Sequence, residues 1–171
     1  WNLARFAETI LHLIDNDENK AVRIVEEILE KYNKKFNINW NLMMSKKLNL
    51  DLNSTNEEII KEFLDLLHVY KLDYTNSFIK LHNNKLEKNI FKIWNEKYKK
   101  NKLKKYKNIN PYIIPRNHMI EKIINETYNG NFSNLYEFEK ALKNPYYENQ
   151  NDKYIKPPLE NEKIFETFCG T

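Results

Sequence analysis

The chain has 171 residues and a net charge of +4, and it is 41% hydrophobic, 13% aromatic and 30% charged. That apolar share can fill a core, which excludes outright disorder, and the mild positive balance falls short of the basic patches typical of nucleic-acid binders. Two glycines and five prolines leave few sites for tight turns, so many-stranded β folds are set aside and an all-α chain is expected.

In chain order, residues 1–14 place Leu3, Phe6, Ala7, Ile10, Leu11, Leu13 and Ile14 at helical spacing. Residues 15–19 break the pattern. Val22, Val25, Ile28, Leu29 and Tyr32 then repeat at three and four, with Glu26, Glu27, Glu30 and Lys31 opposite, which predicts a core-facing amphipathic helix. A shorter helical piece is predicted around residues 40–47. Thr55 and Glu58 form a capping box ahead of a broad apolar face, Ile59 to Tyr70. Asp73 is placed to cap a further helix in "DYTNSFIKL". Ile90, Phe91, Ile93, Trp94 and Tyr98 mark the next one.

Pro111 and Pro115 punctuate the following boundary, since each disfavours helix at the residue before it. A helix is predicted from about 117 to 128, with Gly130 as its left-handed C-terminal residue. Ser133 can cap one more helix through Leu142. From Tyr146 onward Pro157-Pro158 and dense polar residues predict an extended tail over a surface. The expected organisation is therefore six to seven helices over residues 1–145 and a tail over 146–171. The chain begins at Trp1, already inside an amphipathic pattern, so it is expected to be the C-terminal piece of something longer. No signal peptide is visible at this start, and no apolar run approaches the ~20 residues of a membrane span.

Little chemistry is visible in the residues. The two glycines are forty positions apart and cannot form a phosphate loop. His12, His68, His82 and His118 share no helical face, and one cysteine cannot build a multi-cysteine zinc site. Glu26-Glu27 and Glu57-Glu58 read as solvated helix faces. The basic run "KYKKNKLKKYK" reads as a solvated face leading into a linker, with an acidic or RNA partner as the sharper reading. Cys169 lies third from the end. It is an inert tail thiol, a redox thiol pairing outside this chain, or a nucleophile, which would need a base and an oxyanion donor. Phe165 and Phe168 could anchor that tail on apolar surface, and Gly170 leaves the sulfur unhindered.

The ordered set "WNLARFAETI", "MMSKKLNL", "DYTNSFIKL", "WNEKY", "INPYIIPRNHMIEKII", "NGNF", "ALKNPYY", "YIKPP" and "TFCGT" resembles the C-terminal third of the selenoprotein O family across essentially the whole chain. The resemblance implies the helical C-terminal part of a protein-kinase-like fold. It implies a parent protein that transfers AMP from ATP, with Mg²⁺, to Ser, Thr or Tyr hydroxyls of proteins. The family's nucleotide- and metal-binding residues precede the WNL segment, so no catalytic, cofactor or metal residue is carried over, and the chain alone is expected to be inactive.

Cys169 matches the family's terminal selenocysteine or cysteine, which implies a redox disulfide with a cysteine near the active site. Asn117 is expected to cap its helix. Arg116 is expected to pair with a carboxylate of the upstream part as an interlobe contact, a direct nucleotide contact being the lesser reading. The expected partners are that upstream part and protein substrates. Neither a membrane nor a nucleic acid is expected. The alternative is a non-catalytic helical interaction module with an acidic or RNA partner. A bacterial cytoplasm is the expected location, or a mitochondrion in a eukaryote.

Overall fold

Three-and-four spacing of apolar residues becomes nine α-helices and one 3-10 turn among the described residues, with no strand and one isolated antiparallel bridge, Leu50 to Lys102. The computed structural model describes residues 1–52, 56–103, 106–148 and 151–164. Thr55, Phe165, Phe168, Cys169 and Gly170 lie outside them. Contacts divide the chain into two units, Trp1–Met44 and Ser45–Thr171.

The first unit holds α1 (Asn2–Thr9), α2 (Leu11–Ile14) and most of α3 (Glu18–Lys47). The single helix predicted over residues 1–14 breaks at Ile10, which leaves helical geometry at φ −115°, ψ 9°. Just before it, the Thr9 hydroxyl donates to the Phe6 carbonyl at 2.7 Å, a local bond that competes with the helical ladder. Asp17 starts α3: its carboxylate accepts from the N–H groups of Asn19 (2.9 Å) and Lys20 (3.2 Å).

The two helices predicted over 22–32 and 40–47 are one helix of 30 residues, about 45 Å at 1.5 Å per residue. Residues 33–39 lack an apolar stripe, but they contain no Gly or Pro to stop a helix. Lys34 pairs with Glu30 one turn back, and Tyr32 stacks on Phe36 at 6.3 Å. The stripe predicted to face a core is largely outward, with Val22, Ile28 and Tyr32 exposed; Phe36 and Ile38 further along, like Phe6 and Leu13 before it, are more than half exposed.

The second unit adds α4 (Glu57–Val69), α5 (Tyr74–His82), α6 (Lys92–Asn101), α7 (Asn117–Tyr128), α8 (Ser133–Leu142), α9 (Asp152–Ile155) and a 3-10 turn at Glu160–Glu162. Its first core is aromatic. Phe63 of α4 is fully buried, with Trp94, Phe78 and Phe91 at 5.0, 5.1 and 5.6 Å between ring centroids. The Trp94 indole donates to the Ile59 carbonyl at 2.8 Å, so α4 and α6 are joined by a buried hydrogen bond as well as by rings. A second core gathers Ile113, Ile123 of α7, Phe138 of α8 and Tyr154 of α9. The tail predicted from residue 146 therefore carries a helical turn whose Tyr154 is buried. Asn151 starts that turn by accepting from the Lys153 N–H at 3.0 Å.

A chain with two glycines still ends its helices sharply. Four of them close with the paired bonds of a Schellman motif, and the left-handed position is Asn49 after α3, Lys71 after α4, Asn84 after α5 and Gly130 after α7. After α4, for example, Leu72 N–H donates to Leu67 O at 2.9 Å and Lys71 N–H to His68 O at 3.2 Å. Asparagine tolerates this conformation better than most residues; lysine does not. Lys71 is exposed and sits at φ 49°. Lys71→Gly is therefore expected to stabilise the protein by about 0.5–1 kcal/mol, the left-handed cost exceeding the extra chain entropy of glycine. A thermal melt showing no gain, or a loss, would contradict the assignment.

Candidate functional site: a buried ion-pair clamp and a lysine–tyrosine cleft

Asp73 caps α5 as predicted. Its Oδ1 accepts from Asn76 N–H at 2.8 Å. The same carboxylate takes both arms of the Arg116 guanidinium, Nη1 to Oδ2 at 2.7 Å and Nη2 to Oδ1 at 2.9 Å. Arg116 is the residue before α7, in extended geometry at φ −75°, ψ 135°, and its carbonyl accepts the first two bonds of that helix, from Met119 and Ile120. Its Nη2 also reaches the Ile155 carbonyl at 3.3 Å, and Asn76 Nδ2 donates to that carbonyl at 3.2 Å.

One guanidinium thus ties together the starts of α5 and α7 and the end of α9. Its side chain is 8% exposed and that of Asp73 is 22% exposed. Burial pushes the Asp73 carboxyl up, but the Arg116 guanidinium and the Asn76 N–H outweigh it and hold the group below the usual carboxylate range. Among the described residues the buried Arg116 Nε meets no acceptor, and the guanidinium bonds run through its two tips.

The carboxylate that meets Arg116 is therefore Asp73 of this chain, where the sequence reading looked upstream. Asn117 does not cap its helix. It is the first helical residue, it is exposed, and no side-chain cap bond forms at this start. Ser133 is likewise the first residue of α8 rather than its cap; its N–H donates to the side chain of Asn131 at 3.1 Å. Capping of α4 falls to Asn56 by position, again with no side-chain cap bond; the Asn56 Nδ2 donates instead to Ser45 Oγ at 3.0 Å and Asp51 O at 2.6 Å. Cys169 lies outside the described residues.

A second feature is assembled from segments that are distant in sequence. The ends of α3, α5 and α6, the 106–112 segment and residues 146–148 surround a cleft of about 630 Å³. Lys46, Lys47, Lys102 and Lys107 line it with Tyr98, Tyr106, Tyr112, Tyr146 and Tyr147, and Glu148 is the single acidic lining residue. The cleft walls are stitched together. Leu103 N–H donates to Asn49 O at 2.7 Å, Tyr106 N–H to Asn49 Oδ1 at 3.0 Å, and Asn110 Nδ2 to Lys47 O at 2.8 Å. The Tyr98 hydroxyl donates to Leu48 O at 2.8 Å, and burial pushes that phenol up.

Lys47 lies over Phe78 at 4.6 Å and Tyr74 at 5.8 Å, and burial lowers its pKa. The basic run thus divides. Lys97 pairs with Glu58 at 3.0 Å and with Glu62, Lys102 and Lys107 line the cleft, and Lys104 and Lys105 lie outside the described residues. The acidic pairs Glu26-Glu27 and Glu57-Glu58 are exposed, as read from the sequence. Among the described residues no three His, Cys, Asp or Glu side chains converge to hold a metal ion. No helix among them is long and apolar enough to cross a membrane.

Fold and site together define a helical module that presents charged surfaces on two small cores. The family model for "Protein adenylyltransferase SelO" matches residues 1–93, more than half the chain, and the chain belongs to that family. It is similar to the "Protein nucleotidyltransferase YdiU" of Bacillus cereus (strain AH820), 34% identical over 100% of this chain and 39% of the relative. It is also similar to the proteins of the same name from Bacillus anthracis (strain CDC 684 / NRRL 3495) and Bacillus thuringiensis (strain Al Hakam), each 33% identical with the same coverage. The chain spans 39% of the length of these curated relatives.

Proposed function

We propose that the chain is the helical C-terminal part of a protein adenylyltransferase, one that moves AMP from ATP to Ser, Thr or Tyr hydroxyls of proteins. Residues 1–171 act in it as a structural and regulatory part. ATP and Mg²⁺ are held by the portion of the protein that corresponds to the rest of the relatives' length. The carrying observation is the pattern of the match: the whole of this chain aligns with 39% of proteins named nucleotidyltransferases. The outward apolar side chains of the first unit support the same reading, since Phe6, Leu13, Ile28, Phe36 and Ile38 are exposed apolar groups that the rest of the protein can cover. The cytoplasm of a bacterium is the proposed compartment.

The resemblance also assigns Cys169 a regulatory disulfide with a cysteine outside this chain. In the transfer itself, a substrate hydroxyl oxygen bonds to the α-phosphorus of ATP, pyrophosphate leaves, and the hydroxyl proton is lost to base. Label in the α-phosphate therefore follows the AMP, whereas label in the γ-phosphate leaves. The full-length protein is expected to transfer α-label, and not γ-label, to protein. Cys169→Ser is expected to keep reduced-state transfer near normal and to remove its response to oxidants. Transfer of γ-label would overturn adenylyl transfer, and an inactive reduced serine variant would make the thiol a participant in the chemistry.

A further inference from the structure

The lysine–tyrosine cleft plays no part in the function proposed above. Its volume, about 630 Å³, falls in the range of small-molecule sites. Lysines near helix C-termini commonly do no more than offset the helix dipole, and three such ends border this cleft. The magnitudes decide against that explanation alone. Each helix end is worth about half a negative charge, so three ends and Glu148 leave four lysines with a balance of about +1.5. The terminal carbonyls of α3 and α5 are already bonded by Leu50 and Lys85 N–H groups, at 2.8 and 2.7 Å. Lys46, Lys47 and Lys107 make no ion pair among the described residues, and Lys102 Nζ rests on Asn84 Oδ1 at 3.0 Å.

Two further features narrow the ligand. Tyr106, Tyr112, Tyr146 and Tyr147 line the cleft beside Tyr98, and aromatic side chains hold planar rings by stacking. The residual positive charge of the described lining complements the ~1.5–2 negative charges of a phosphate monoester.

We propose that this cleft binds a small phosphomonoester carrying a ring system, of the nucleoside monophosphate class. The inference stands independently of the adenylyl-transfer reading. Hydrogen–deuterium exchange of the full-length protein tests it, because the readout is local to residues 46–50, 98–112 and 144–148. AMP is expected to slow exchange there in the ~1 mM range, inorganic phosphate more weakly, and adenosine not at all. Lys47→Gln and, at an exposed position, Lys107→Gln are each expected to weaken the AMP effect about tenfold, as loss of one charged contact does, while Lys47→Arg retains most of it. Three results would overturn the proposal: no protection at ~10 mM AMP, equal protection by adenosine, or an AMP response in both glutamine variants equal to that of the wild type. Protection by a polyglutamate peptide but not by AMP would also overturn it, in favour of an acidic protein partner.

Discussion

Arg116→Ala is expected to cost about 3 kcal/mol of stability, the lower end of what breaking a buried ion pair costs. The lower end applies because Asp73 keeps 22% of its side-chain exposure and can recover some water. Most of the loss comes from what is left behind: a carboxylate that had two charged donors, and an Ile155 carbonyl that loses one of its two. Arg116→Lys keeps the charge but not the planar fork, so it is expected to restore less than half of the loss. A double-mutant cycle with Asp73→Asn, which keeps a capping oxygen, should show a coupling above ~1 kcal/mol.

The pair also sets a pH dependence. Asp73 is held below its unfolded value, near 3.9, so its contribution is complete above that pH and is lost as pH falls through the folded pKa. The gap between wild type and Arg116→Ala should therefore close on acidification below about pH 4. A gap that is constant with pH, or additive single variants, would show that the clamp is not an ion pair in solution.

Phe63→Ala is the second large effect, expected at about 3–5 kcal/mol. Phe63 has no exposed surface and its ring meets Phe78, Phe91 and Trp94, from α5, the residue before α6, and α6 itself. Its removal empties the junction of three segments held by other bonds, among them Trp94 Nε1 to Ile59 O, so the site cannot collapse to fill the space. Phe63→Leu keeps most of the volume and should cost less than half as much. Denaturant unfolding followed by tryptophan fluorescence reads both, since Trp94 lies 5.0 Å from the deleted ring. A cost below ~1 kcal/mol for alanine would mean that this core is not the one that holds α4, α5 and α6.

Local rules carried far in this sequence. Asp73 before an apolar run is a capping residue in the structure, and Gly130 takes the left-handed end of α7 at φ 79°. What was not legible has three physical causes. The continuity of α3 depends on the absence of any stop signal in residues 33–39, and apolar spacing does not report that. Asn49, Lys71 and Asn84 end their helices where glycine would have announced an end, so those boundaries were hidden by residue type. The partner of Arg116 and the cleft depend on tertiary contacts: Asp73 is 43 residues from Arg116, and the cleft lining runs from Lys46 to Glu148. No spacing rule spans such distances.

The central claim is that residues 1–171 supply architecture and regulation to an adenylyltransferase whose chemistry lies in the rest of the protein. It is tested most directly by transfer from α-labelled ATP, comparing the full-length protein with the 171-residue chain after circular dichroism has shown that chain to be helical. The expected result is labelled protein substrate with the full-length protein and none with the chain alone. Labelling by the helical chain alone would contradict the claim.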